Sequence, residues 1–488
     1  MTDGLRLSSG RGRGAVFASV VASGMAFLDN TVVNVALPHI GHDLHAGVAG
    51  LQWTVSAYTL TLAALVLLGG ALGDRYGRRR VFLVGVVWFT VASVLCGLSL
   101  NVGMLTAARA LQGCGAALLT PGSLALLQAS FSRQDRARAI GAWSGLSGVA
   151  TAIGPFLGGW LIDTLSWRWI FFINVPLAVL AMIAALIWVP ESSNPGAGRF
   201  DVTGAVLAAA GLAGITYALI QRGTGAVPAA VVGAVALVAF VVTERRRGEA
   251  AMLPPRLFRS RQFSAINLVT FFVYAGVSGI TFFLVVELQV AAGYSALQAG
   301  VSMLPMTLLL MVGSSRAGAL GARIGPRWPL AAGTIFAGAG ILLMLRIGRH
   351  TRYLTDVLPP AILLGLGMTL VIAPLTAAIL ASAPSEQAGT ASGVNNAVAR
   401  SGGLLAVAAL PLAVGISGQQ YQQPAALNHG FHLAVLGCAG LYAAGALTTL
   451  VLVKRAPDPG GEPASQPPPR EPSVPPVSSG RGRRISRG

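Results

Sequence analysis

Continuous apolar runs of about 18 to 25 residues, rich in Ala, Leu, Val and Gly, alternate along this chain with short polar breaks. A helix of that length crosses a hydrocarbon core of roughly 30 Å at 1.5 Å per residue. A membrane-barrel strand would alternate apolar and polar positions over about ten residues, so the pattern predicts helices. Fourteen spans are expected, from one centred near residue 26 to one near residue 442. The break Gly73-Asp74-Arg75-Tyr76-Gly77-Arg78-Arg79-Arg80 returns in rough copy as Gly321-Ala322-Arg323-Ile324-Gly325-Pro326-Arg327. Gly70 and Gly318, Gly141 and Gly389, Gly145 and Gly393, and Gly154 and Gly402 keep the same offset. A repeated basic hairpin between apolar spans predicts two related helical halves that rock about a shared cavity.

Composition agrees. Apolar residues make up 54% of the chain and charged residues 10%, against about 25% charged in soluble domains, and mean hydropathy is +0.69. The net charge of +18 would suggest nucleic acid in a soluble protein. Its placement points instead to the bilayer as partner. With the N-terminus inside, only Arg168, Arg222, Arg346, Arg349 and Arg352 fall in outer loops, which predicts a multi-pass protein of the bacterial inner membrane with both termini cytoplasmic. Both hairpins must then share one face, so an even number of spans separates them. Residues 81–317 accommodate eight, where a twelve-span design has six; the extra pair is assigned to 201–221 and 226–243.

The expected organisation is a cytoplasmic arm (1–14), a six-helix bundle (15–190), two extra helices with a basic linker (191–262), a second six-helix bundle (263–453) and a disordered Pro- and Arg-rich tail (454–488). The linker from Glu244 to Arg261 reads as an interfacial loop held to anionic lipid. Cys96, Cys114 and Cys438 show no pairing pattern. His39, His42 and His45 drift around a helix without a fourth ligand, so no metal is expected. No P-loop is present, which argues against direct ATP coupling, and no nucleophile, base or metal cluster marks an enzyme.

Charges inside spans are the candidate chemistry. Asp29, in the first span, is costly there unless paired, hydrated or protonated. It reads as a group that loads and releases a proton, or as a static hydrogen-bonding partner of Asn30, Asn34 or a neighbouring span. Arg109, in the fourth span near Gln112 and Gly113, needs a partner because guanidinium does not deprotonate; it reads as an electrostatic control on Asp29 or as a side chain snorkelling to the outer end. Arg400 and Glu287 are the comparable charges of the second half. Glu287 can attract a cationic substrate or face interfacial water. In the hairpin, Gly73 and Gly77 permit a tight turn, while Asp74, Arg75 and Arg78 can latch one face in one of two states. The fifth span carries Gly141, Gly145, Gly148, Gly154, Pro155, Gly158 and Gly159, a face suited to close helix approach.

At these residues the chain resembles the fourteen-span drug:proton antiporter branch of the major facilitator superfamily. Leu28 to Pro38 is similar to the family's first-span motif, Gln52-Trp53 with Tyr58 to its second span, and Gly73 to Arg80 to the superfamily's cytoplasmic motif. Arg109 to Gly113 resembles the fourth-span motif linked to proton coupling. Gly154-Pro155-Phe156-Leu157-Gly158-Gly159 resembles the antiporter motif, and Ser166 to Pro176 continues a signature of this branch. Phe200-Asp201, Leu257-Phe258-Arg259 and Gly293 to Gly300 match as well. Glu287 and Ala322 depart from the family pattern.

The resemblance implies an all-α major facilitator fold, two pseudo-symmetric six-helix bundles plus two inserted helices. It also implies proton-driven export of small hydrophobic or cationic drugs by a monomer, with protons as the coupling ion and no organic cofactor. A dedicated exporter of a metabolite, lipid or amino acid, and a non-transporting sensor of the same fold, are the alternatives.

Overall fold

The computed structural model describes residues 5–193, 201–248, 251, 253, 255–383 and 387–454. The tail beyond Lys454, Phe200 and part of the linker lie outside them. The described residues contain fourteen helices long and apolar enough to cross a membrane. These are α1 (Gly10–Asp43), α2 (Val48–Tyr76), α3 (Arg78–Gly97), α4 (Val102–Ser130), α5 (Gln134–Thr164), α6 (Trp169–Trp188) and α7 (Val202–Ile220), then α8 (Ala226–Arg247), α9 (Arg261–Val290), α10 (Ala296–Ile324), α11 (Arg327–Arg346), α12 (Tyr353–Ala381), α13 (Gly389–Ala413) and α14 (Pro424–Leu452).

Polar residues at the breaks start the helices by capping their orphan N–H groups. Ser9 accepts from Gly12, so α1 begins at Gly10 instead of near residue 15, and Asn101 accepts from Met104 at the start of α4. Ser295 and Gln298 cap α10 reciprocally. The arm is anchored: Leu5 N donates to Ser130 O at 2.7 Å and Leu7 N to the Asp135 carboxylate at 3.0 Å.

Helices α1–α6 form one bundle, with cores built around Met25, Phe82 and Phe89 and around Val32, Trp167 and Phe171. Helices α9–α14 form the other, around Phe263, Phe283, Phe431 and Tyr442. The inserted pair α7 and α8 pack on each other, and α7 lies against α2 and α13, where the Trp53 and Tyr217 rings sit 6.3 Å apart. In the first bundle α3 and α4 meet backbone to backbone: a Cβ on Gly115 would lie 2.6 Å from Phe89 N. Gly115→Val is therefore expected to cost about 2 kcal/mol by overpacking, read as a lowered Tm of the purified protein in detergent. Gly440→Ala, where an added Cβ meets nothing within 4 Å, should not lower Tm, since alanine is the better helix former.

The two hairpins repeat in three dimensions. Gly77 (φ 108°) and Gly325 (φ 81°) turn the chain through a region that L side chains resist. Arg79 donates to Val189 O at 3.0 Å, just past the end of α6, and Arg327 donates to Leu450 O in the last turns of α14. Each half thus ties its hairpin to its own sixth helix.

The two ends of the molecule differ. Away from the hairpins the bundles are joined: Gln52 Nε2 donates to Val407 O and Ala408 O at 2.9 and 2.8 Å, Gln289 Nε2 to Val35 O at 2.9 Å, and Tyr421 Oη to Ala46 O at 3.0 Å. Leu37, Ala46, Val48 and Leu51 of the first bundle are buried in the second bundle's core. At the hairpin end, Gly141, Gly145 and Gly148 of α5 face nothing within 4 Å. Between Leu304 and Ile324, Ala317 is the one buried residue among those described. The interior is sealed at the end away from the hairpins, while at the hairpin end α5 and α10 are the loosely packed elements.

Candidate functional site

A cavity of about 500 Å³ lies between the bundles, walled by α1, α2, α4, α5, α9, α10 and α13, within the range of small-molecule sites. Helical periodicity decides what α1 presents to it. Phe27, Asn30, Thr31 and Asn34 follow the three- and four-residue steps of one helix face and all line the cavity. Asn34 Nδ2 donates to Asn30 O at 3.0 Å. Asp29 is one residue off that face and turns the other way.

Asp29 is fully buried between helices, as are Arg109 and Gln112 of α4. Arg109 donates to Asp29 Oδ2 at 2.5 Å, to Gln112 Oε1 at 2.7 Å and, through Nε, to Thr54 O at 3.0 Å. Gln112 Nε2 donates to the second carboxylate oxygen, Oδ1, at 2.8 Å. Arg109 Cζ stacks 4.3 Å from the centroid of the Tyr58 ring, and Tyr58 itself lines the cavity. The ion pair thus sits immediately behind the cavity wall with Tyr58 between. The snorkelling alternative for Arg109 is overturned: the side chain is 1% exposed and turns inward toward α1. Asp29 finds its partners on a neighbouring span, not in Asn30 or Asn34. A buried pair of this kind holds because each charge is matched and hydrogen-bonded.

Glu287 corrects both readings offered for it. It is fully buried and does not line the cavity. Oε1 accepts from Asn428 at 2.7 Å and Oε2 has no partner. Position near the end of α9 suggested interfacial water, but the start of α14 and the turn at Ile347 cover it, Asn428 also donating to Ile347 O at 3.2 Å. Arg400 does line the cavity. The attraction of a cationic substrate expected of Glu287 has no basis in its position, since it is buried away from the cavity.

In the hairpin, Asp74 pairs with Arg78 at 2.7 Å, Arg75 lies 5.7 Å from its neighbour's Tyr76 ring, and Gly73 O accepts from Gly77 N at 3.1 Å. The Asp74–Arg78 pair lies within the first bundle's own hairpin. Glu191, beyond α6, accepts from the backbone N–H groups of Arg79 and Arg80 at 3.0 and 3.2 Å, a carboxylate at the favourable N-terminal end of α3. Of the α5 glycines, Gly154 and Gly158 press on Thr31 and Val32 of α1, and Gly159 on Leu297 of α10; Pro155 lines the cavity. The expected close-approach face is thus confined to the sealed end.

One group escaped sequence reasoning. Asp163, at the end of α5, accepts from Ser295 Oγ at 2.8 Å and from the backbone N–H groups of Ala296 and Leu297 at 3.1 and 2.9 Å. It caps α10 of the other bundle. Its only sequence signal is an acid one turn past Gly158-Gly159 facing a serine-capped helix far along the chain.

Two helical bundles around a central cavity, sealed at one end, define a multi-pass membrane protein of the transporter class. The chain belongs to the Major Facilitator Superfamily, whose sequence profile matches residues 20–407, and it carries fourteen helices of spanning length. It is 38% identical over 442 residues to the probable actinorhodin transporter of Streptomyces coelicolor, covering 87% of this chain and 75% of that one. It is 37% identical over 393 residues to the multidrug resistance protein Stp of Mycobacterium tuberculosis, covering 79% and 73%. Its fold matches the crystal structure of a bacterial homologue of the human lysosomal transporter Spinster in an inward-facing, unoccupied conformation. That match has a TM-score of 0.66 at 16% identity and covers 91% of this chain and 98% of that one.

Proposed function

We propose that the protein exports small amphipathic compounds across the bacterial inner membrane in exchange for protons, by alternating access. The positive-inside asymmetry of the loops supports placing the hairpin end and both termini in the cytoplasm, which makes the cavity cytoplasm-open. The observation that carries the reading is the buried Asp29–Arg109–Gln112 cluster, separated from the cavity by Tyr58.

A proton arriving at Asp29 removes the carboxylate charge, yet Arg109 keeps Gln112 Oε1, Thr54 O and the Tyr58 ring as partners. The site can therefore hold either protonation state while the strength of the α1–α4 contact changes. That is the coupling an antiporter needs, because the same cluster borders the cavity whose access alternates. Each proton moving inward supplies about 2.3 kcal/mol per 100 mV of membrane potential.

The test is substrate-induced proton flux in proteoliposomes. The parent should release protons on addition of a transported drug, and Asn at position 29 should reduce that response at least about tenfold while leaving drug binding in place. An equal response in Asp29→Asn would discard Asp29 as the carrier. A second reading, dedicated export of one metabolite, is favoured by the relative named for a single antibiotic, whereas Stp is named for multidrug resistance. A substrate panel in everted vesicles separates them: one transported compound supports the dedicated reading, several unrelated ones the broad reading.

A further inference from the structure

Arg400 is a cation in the cavity wall with no counter-ion. It lies midway along α13, beside Asn396 and Gly403, which also line the cavity. Its Nε is buried without a hydrogen-bond partner. Arg78, Arg79, Arg80, Arg109, Arg138 and Arg247 each pair with a carboxylate, and among the described residues Arg400 is not in such a pair. No Asp or Glu lines the cavity.

Arg109, fully buried, is held by a carboxylate, its charge matched by Asp29 within 2.5 Å. A guanidinium does not shed its proton at working pH, and Arg400, part-exposed at the cavity wall, keeps its charge there with no carboxylate facing it. The partner missing from the wall is therefore one that a ligand can bring.

We infer that the cavity binds amphipathic organic anions, with a carboxylate, sulfonate or acidic hydroxyl on Arg400 and the apolar body against Leu284, Val285, Met303 and Met306. This rests on reading the cavity as the export site and names the substrate class that site takes. Planar guanidinium geometry suits a bidentate oxyanion. The two methionines, flexible and polarisable, adapt to bodies of different outline. Charge selection and shape tolerance are thereby assigned to different residues.

The experiment uses the purified full chain in detergent and three probes with one apolar body: 1-pyrenebutyric acid, its methyl ester and the matching trimethylammonium compound, followed by fluorescence anisotropy. The parent should bind the acid at least about tenfold more tightly than the ester, the scale expected of a hydrogen-bonded charge pair. Arg400→Met should erase that preference with ester affinity unchanged, which also shows that the cavity is intact. Arg400→Lys should keep a preference for the acid, and Arg400→Glu should transfer it to the trimethylammonium compound.

Equal acid preference in Arg400→Met overturns the inference, as does a parent that prefers the cationic probe. Displacement of the acid by phosphatidylglycerol but not by unlabelled naphthoate overturns it too, because the site would then be a lipid headgroup site. Binding is measured without a proton gradient, so the two readings fail separately. Arg400-dependent anion binding with no proton-driven export sinks only the export reading, and proton-driven export with an Arg400-independent charge preference sinks only this one.

Discussion

Arg109→Ala is expected to destabilise the protein by about 3 to 5 kcal/mol, while the Asp29→Asn/Arg109→Ala double substitution recovers a large part of that loss. The alanine alone leaves a fully buried carboxylate with one hydrogen bond from Gln112 and no cation. It also removes the donor to Thr54 O and the group stacked on Tyr58. Asparagine at position 29 eliminates the stranded charge and can still accept from Gln112, so the two substitutions cannot add. Tm of the four proteins of the cycle, purified in one detergent, gives the coupling. Additive losses would mean that the pair is not the unit that holds α1 to α4.

This cluster also shows where one-dimensional information ends. The fourteen spans were legible because length and apolarity are local, and the extra pair because residues 81–317 hold eight apolar runs, an even number as two hairpins on one face require. Asp29 and Arg109 each stood out as an unaffordable charge, and their mutual contact was open among the readings of either. What the sequence did not display was rotation. Residues 29 and 30 differ by about 100° around a helix, and that difference puts the asparagine in the cavity and the aspartate behind its wall. Glu287 was misplaced for a related reason: its distance from the end of α9 is local, but the cover supplied by Asn428 and the Ile347 turn comes from elements 60 or more residues away. The Arg79 and Arg327 ties to the sixth helices, likewise, need the bundle before they exist.

Asp163→Lys is expected to shift the molecule toward a state open at the end away from the hairpins, by roughly a hundredfold in the ratio of the two populations. The carboxylate accepts three hydrogen bonds at the first turn of α10, in the positive field of a helix N-terminus. Hydrogen bonds to a charged group contribute about 1.5 to 3 kcal/mol in net, and an ammonium in the same place adds an unfavourable dipole interaction of roughly 0.3 to 1 kcal/mol; solvent at this exposed position keeps the sum near 3 kcal/mol rather than above it. The remaining hydrogen-bonded closure, which includes Gln289 on Val35 O, Gln52 on Val407 O and Ala408 O, and Tyr421 on Ala46 O, is neutral and unaffected. Because Gly159 packs directly on Leu297, α5 and α10 separate together once the cap is gone. Spin labels at Leu165 and Ala292 in a background with Cys114 replaced should report a longer distance by double electron–electron resonance in Asp163→Lys than in the parent, with Asp163→Asn between them. Superimposable distance distributions for all three would show that the other cross-bundle contacts hold this end shut without Asp163, which then serves only to start α10.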